Sequence, residues 1–66
     1  MNSNALMAKI ILSGKTIPQM AKDLNLAKTT IYRKVKGKTE FNRKEIENII
    51  VYLNLTDIEA MEIFFS

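Results

Sequence analysis

The sequence contains neither cysteine nor histidine, and these two absences remove whole classes of chemistry. Without cysteine the chain can form no disulfide and no thiolate metal site. Without histidine it lacks the commonest metal ligand and the commonest general base. Glu45 and Glu47 are two residues apart and diverge on a helix, so they do not form a catalytic pair. We therefore expect no metal, no cofactor and no enzymatic activity.

Chain breakers and long apolar runs are also scarce. One proline and two glycines occur among the 66 residues, which predicts a single domain without linkers or repeats. A domain of this size buries only about 60% of the surface that its unfolded chain exposes, so we expect modest stability. No run approaches the roughly 18 apolar residues of a membrane span, and the N-terminus lacks a signal pattern. We expect a cytoplasmic protein with no membrane partner.

Charge is distributed very unevenly, although the net charge is only +3. Residues 28–44 hold seven Lys and Arg side chains against one Glu, whereas residues 45–66 hold five acidic side chains and no Lys or Arg. Such segregation produces a directed field that attracts a polyanion to one part of the surface. A solvated charged face is the alternative interpretation. It is weakened because the basic block coincides with a short predicted helix.

Apolar spacing predicts five α-helices and no strand. They cover about residues 4–12, 16–25, 28–36 and 42–54, and the last begins at residue 56. The face of the first helix that is predicted to be buried holds Leu6, Met7, Ile10 and Ile11. In the fourth helix it holds Ile46, Ile49, Ile50 and Leu53, broadened by Val51 and Tyr52. In the last helix it holds Ile58 and Met61 with either Phe65 or Phe64.

Capping residues support these helix starts. The predicted caps are Ser3 or Asn4 for the first helix, Thr16 with Gln19 for the second, Asn42 with Glu45 for the fourth, and Thr56 with Glu59 for the fifth. The third helix begins after Ala27, whose methyl group cannot cap. We therefore expect its first turn to be looser than the others.

Residues 16–37 carry a spaced set of signals in the second and third helices. The set consists of Ala21, Asn25 at the turn, Leu26 after it, Ile31 and Gly37. This segment resembles the helix-turn-helix of phage Cro and CI repressors. The resemblance implies an all-α, five-helix lambda-repressor-like domain with the helix-turn-helix at helices 2 and 3. It also implies a sequence-specific double-stranded DNA-binding transcriptional regulator in a bacterial or phage-infected cell, which reads the major groove with helix 28–36.

Three positions depart from the family pattern. Asn25 replaces the usual glycine of the turn, and asparagine tolerates a positive φ. Ile17 stands where the family often has a glutamine that contacts the DNA backbone, and Gln19 could replace part of that contact. Ala27 stands where the family often has a capping serine or threonine.

The resemblance also implies which side chains meet DNA. The predicted base-reading residues are Lys28, Thr29, Thr30, Tyr32 and Arg33. The predicted phosphate-binding groups are the backbone amides at the helix start near Thr16 and Ile17, and the side chains of Gln19, Lys36, Lys38, Thr39 and Arg43. Arg33 is the preferred base reader, because its guanidinium matches the O6 and N7 atoms of guanine. The alternatives are that each Thr simply faces solvent, that Tyr32 is partly buried, and that Lys34 lies over the core.

Partners follow from the same reading. The family often binds palindromic operators as a homodimer, and surplus apolar residues in the last helix predict a dimer contact through Ile63, Phe64 and Phe65. Burial of all three in the core is the equal alternative. A second function would be binding to a repressor partner, as an antirepressor does, through the acidic C-terminal part. RNA binding is disfavoured, because the chain offers no exposed aromatic platform.

Overall fold

The computed structural model describes residues 1–65 and places them in five α-helices. These are α1 (Ser3–Leu12), α2 (Ile17–Asp23), α3 (Lys28–Val35), α4 (Arg43–Tyr52) and α5 (Asp57–Phe64). This part of the chain contains no strand, which confirms the predicted all-α class. Across residues 1–65 no helix combines the length and the apolar character that a membrane crossing requires.

Most of the predicted helix caps are confirmed. The side chains of Asn42 and Thr56 form complete capping boxes with Glu45 and Glu59. Thr16 Oγ1 accepts a hydrogen bond from the backbone N–H of Gln19 at 3.2 Å. As expected, the start of α3 at Ala27 has no side-chain cap.

Two details of the capping prediction were wrong. The cap of α1 is Asn2, rather than Ser3 or Asn4, because Asn2 Oδ1 accepts from the backbone N–H of Ala5 at 3.0 Å. The box at Thr16 is only half formed, since Gln19 Nε2 donates instead to Asp23 Oδ1 at 2.8 Å.

One hydrophobic core joins all five helices. Its buried members are Leu6, Ile10, Met20, Ala21, Ile31, Val35, Ile49, Leu53, Leu55 and Ile63. No buried side-chain nitrogen or oxygen within residues 1–65 lacks a hydrogen-bond partner. The core is therefore apolar throughout, and burial of apolar surface is the main force that holds the helices together.

The predicted buried face of α5 was wrong. Ile58, Met61 and Phe65 are exposed, whereas Ala60 and Ile63 are buried. α5 packs on α1, and the backbone N–H of Asn2 donates to the carbonyl of Ile63 at 2.6 Å. Packing between these two distant parts of the chain buries Ala60 and Ile63 and leaves Ile58 and Met61 in water.

Single apolar residues in α1 and α4 were also misassigned. Ile11 and Val51 are exposed, although each was placed on a buried face. Ile10 and Ile49 are buried in the same helices. Successive residues on a helix point about 100° apart, so a helix that buries Ile10 at its centre turns Ile11 outward.

Positive φ angles close the turns that follow α1, α2, α3 and α4. Asn25 and Asn54 adopt φ of 57° and 54°, and Gly14 and Gly37 adopt 76° and 82°. Asparagine and glycine enter this left-handed region at low cost, whereas other residues do so rarely. The Asn25 turn leads from α2 to α3, so it determines how the two helices meet.

Substitution of Gly37 should destabilise the fold more than substitution of Gly14. A Cβ atom at Gly37 would lie 2.9 Å from Ser3 Oγ, whereas a Cβ at Gly14 meets nothing within 4 Å. We expect Gly37→Ala to lower the free energy of unfolding by about 1–2 kcal/mol through its φ alone, with the Ser3 clash added. Urea denaturation separates the cost of the positive φ from the cost of the Ser3 clash. The variants compared are Gly37→Ala, Gly14→Ala and the double variant Ser3→Ala/Gly37→Ala. Equal losses in the two glycine variants would contradict the role of Ser3.

Candidate nucleic-acid interface

Helices α2 and α3 form the most extensive helix pair of the fold. The turn between them is closed by the backbone N–H of Leu26, which donates to the carbonyl of Ala21 at 2.8 Å. Ala21 and Ile31 are buried beside this turn. Because Ala21 is small and Ile31 is fully buried, the two helices approach closely. The remaining side chains of α3 point outward.

All five predicted base-reading residues lie on the exposed side of α3. They are Lys28, Thr29, Thr30, Tyr32 and Arg33, and Lys36 extends the same surface. Thr29, Arg33 and Lys36 follow i, i+4, i+7 spacing and so form one line along the helix. Tyr32 is half exposed, and Lys36 Nζ lies 5.4 Å from the centroid of its ring. We call the six residues together the α3 surface.

The predicted phosphate-binding residues divide into two groups. Lys38 and Thr39 are exposed in the loop after α3, and Arg43 is exposed at the first residue of α4. The second group lies at the start of α2. The side chains of Thr16, Ile17 and Gln19 are engaged in the fold, whereas a phosphate contact through the backbone amides near Thr16 and Ile17 stays a prediction. The Thr16 hydroxyl caps α2 and the Gln19 amide binds Asp23, while Ile17 packs against the core.

Lys34 is not part of the α3 surface. Its Nζ atom donates to Glu45 Oε1 at 2.6 Å and lies 5.9 Å from the centroid of the Phe41 ring. This ion pair connects α3 to the first turn of α4. Burial alone would raise the pKa of Glu45, but hydrogen bonds from Lys34 and from the backbone N–H of Asn42 outweigh it and lower the pKa below its ordinary value.

The other basic side chains of residues 28–44 have no acidic partner. Among residues 1–65 the salt bridges are those of Lys34 with Glu45 and of Lys9 with Glu59. The cations left outside them in this block are Lys28, Arg33, Lys36, Lys38, Arg43 and Lys44. Unpaired exposed cations concentrated on adjacent elements attract a polyanion at long range.

A link that the sequence analysis missed holds α2 in place. The Tyr52 hydroxyl at the end of α4 donates to Asp23 Oδ2 at the end of α2. Lys15 Nζ lies 4.9 Å from the centroid of the Tyr52 ring. The hydrogen bond from Tyr52, followed by that from Gln19, lowers the pKa of Asp23. Desolvation and the bond to Asp23 raise the pKa of Tyr52 to about 12.

The hydrogen bond between Tyr52 and Asp23 should make the stability of the fold depend on pH in the alkaline range. Tyrosine ordinarily titrates near pH 10, so its folded-state pKa of about 12 stabilises the fold fully below pH 10. This stabilisation is lost as the pH rises from about 10 through about 12. We expect Tyr52→Phe to have a lower urea midpoint than the wild type near neutrality, and the two midpoints to converge in this window. A difference that stays constant with pH would contradict the link.

The predicted dimer contact also has a defined position. Of the predicted dimer contacts, Ile63 is buried in the core and Phe64 is half-buried, with its ring edge-to-face on Phe41 at 6.1 Å. Ile63 is therefore inaccessible to a second copy, and Phe64 is mostly covered. Of the three residues only Phe65 is exposed. Among residues 1–65 no group of acidic side chains is arranged to hold a metal ion.

Comparison of the chain with models of protein families, with curated proteins and with solved structures found no match. The resemblance to Cro and CI repressors therefore stays a prediction from the sequence.

Proposed function

We propose that this protein is a sequence-specific double-stranded DNA-binding transcriptional regulator with a lambda-repressor-like arrangement of its five helices. The observation that carries the proposal is the α3 surface, where Lys28, Arg33 and Lys36 are exposed without acidic partners. An exposed helix that rests on a helix before it is the part of a helix-turn-helix that enters the major groove. The proposal involves no catalytic step.

The N-terminal part of α3 supplies the base contacts in this proposal. Arg33 presents a planar guanidinium that can donate two hydrogen bonds to the edge of guanine. Thr29 and Thr30 offer hydroxyls to base edges and methyl groups to thymine. Lys28 at the start of the helix can reach a base or a phosphate, and Tyr32 can bind a phosphate through its hydroxyl.

Phosphate contacts would hold α3 in register on the duplex without reading sequence. Lys36, Lys38, Thr39 and Arg43 are the exposed candidates that lie beside or after α3. Their positions on two successive elements would let them reach one stretch of backbone while α3 occupies the groove.

Salt dependence tests the electrostatic part of the proposal. If about five phosphates are neutralised, the logarithm of the association constant should fall against the logarithm of salt concentration with a slope of about −4 to −5. Fluorescence anisotropy with a labelled duplex measures this slope. Lys38→Ala should make the slope shallower by about one and weaken all sequences about equally. A slope near zero would contradict binding through this basic block.

Selection of bound fragments from a random duplex pool tests the function itself. It reports DNA binding, base preference, palindromy and half-site spacing in one experiment. Enrichment of one motif supports the proposal, and a palindrome would show that two copies bind together. Binding without enrichment would reduce the protein to a non-specific DNA binder.

A second candidate function is binding to another regulator. The exposed apolar side chains Ile58, Met61 and Phe65 on α5 favour it. Failure to bind random duplex DNA at low salt would favour this candidate over the first.

A further inference from the structure

Helix α5 exposes an apolar face that the core does not use. The exposed fractions of Ile58, Met61 and Phe65 are 78%, 63% and 69%. Their i, i+3, i+7 spacing places them on one side of the helix, opposite the buried Ala60 and Ile63. Large apolar side chains that are scattered singly need no explanation, but three aligned on one helix indicate an interaction surface.

A groove beside Phe65, which directly follows α5, extends the apolar surface onto α4. It has a volume of about 360 Å³ and is lined by Arg43, Ile46, Glu47, Ile50 and Phe65. Ile46 and Ile50 are half-buried beneath it. We call Ile46, Ile50, Ile58, Met61 and Phe65 together the α4–α5 face. A groove of this size accepts a few aliphatic side chains, as when an amphipathic helix inserts its apolar residues.

The edge of the α4–α5 face is acidic. Glu47 lines the groove, and Asp57 and Glu62 lie on α5 beside the apolar residues; all three are exposed. None of them forms a salt bridge within residues 1–65, since Lys9 binds Glu59 and Lys34 binds Glu45. Arg43 is the one cation that lines the groove among these residues.

We propose that the α4–α5 face binds an amphipathic helix of another protein, whose apolar side chains enter the groove and whose flanking Lys and Arg side chains face Glu47, Asp57 and Glu62. Charge decides between the occupants. A second copy in a symmetric contact would bring the acidic edges of both copies together, and like charges across an interface cost affinity and specificity. Anionic lipid and nucleic acid are repelled for the same reason.

This proposal does not depend on DNA binding. The α4–α5 face shares no residue with those proposed for DNA, and the groove shares only Arg43, so a test without DNA addresses this proposal alone. Two copies on a palindromic site could still be held side by side by the duplex itself.

The test uses two synthetic amphipathic peptides of about four helical turns. Both carry the same leucine stripe, flanked by lysine in one and by glutamate in the other. We expect the lysine peptide to bind and to shift the amide NMR signals of Ile50, Met61 and Phe65 most. We expect the affinity for the glutamate peptide to be lower by a factor of about ten or more. Equal affinity for both peptides, or shifts centred elsewhere, would overturn the proposal.

Matched variants distinguish binding at the α4–α5 face from non-specific hydrophobic binding. Met61→Ser and Phe65→Ser should each weaken the lysine peptide about tenfold, whereas Leu12→Ser, at a residue 79% exposed on α1, should not. Glu62→Gln should weaken it more than Glu40→Gln, which removes an exposed carboxylate outside the face.

Sedimentation equilibrium without peptide completes the test. We expect the wild type to remain monomeric. A dimer that Met61→Ser abolishes would show that a second copy occupies the face, and would overturn the proposal.

Discussion

Replacement of Arg33 by alanine should weaken binding to the selected duplex by about 1–3 kcal/mol, and the preference for one base pair should fall with it. Arg33 is exposed on the line of α3 residues farthest from the core, and no acidic side chain neutralises it. A guanidinium in this position can bind O6 and N7 of guanine together. Loss of two hydrogen bonds to one base therefore lowers specific affinity more than non-specific affinity.

Two companion variants make the Arg33 experiment decisive. Arg33→Lys keeps the charge but loses the planar donor pair, so it should retain non-specific binding and lose discrimination. Lys38→Ala removes a cation from the loop and should weaken every duplex about equally. Anisotropy titrations measure the ratio of the affinity for the selected duplex to the affinity for a duplex in which the central base pairs are changed. If Arg33→Ala leaves this affinity ratio unchanged, Arg33 does not read a base.

Replacement of Ile31 by alanine should cost about 2–5 kcal/mol of the free energy of unfolding. Ile31 is fully buried and packs in the core beneath the α3 surface. Removal of its outer carbons loses apolar burial and leaves a cavity in the core. The total stability of a domain this small is roughly 3–10 kcal/mol, so the variant should be close to unfolded at room temperature.

Val51→Ala is the matched control for Ile31→Ala. Both remove carbons from a β-branched apolar residue within a helix, but Val51 is exposed. We expect its effect to stay within about 0.5 kcal/mol. Urea denaturation followed by circular dichroism measures both variants. A loss below about 1 kcal/mol for Ile31→Ala would show that α3 does not depend on this side chain for its position.

Local signals in the sequence were read correctly. Thr16, Asn42 and Thr56 cap the helices that they were predicted to cap, because a cap hydrogen bond joins residues only three apart. Asn25 adopts positive φ at the predicted turn for a similarly local reason. The exposure of the α3 surface also followed from spacing, since Ile31 and Val35 determine which side of that helix is buried.

Longer-range features could not be read in this way. α5 offers two apolar sets, one with Ile58 and Met61 and one with Ala60 and Ile63, and both satisfy helical spacing. Periodicity does not distinguish them. The choice depends on the packing of α5 on α1, which lies at the other end of the chain. The pairing of Lys34 with Glu45, eleven residues away, likewise resolved an ambiguity that the sequence left open.

The order of residues alone determined that this chain forms five short helices and that its cations and its carboxylates gather in separate stretches, since both depend on neighbours along the chain. Only the tertiary structure decided which apolar side chains of α5 stay in water and which lysine of α3 is neutralised. Those outcomes are set by residues brought together from distant parts of the chain, whose packing and charge select one of several faces that helical spacing permits.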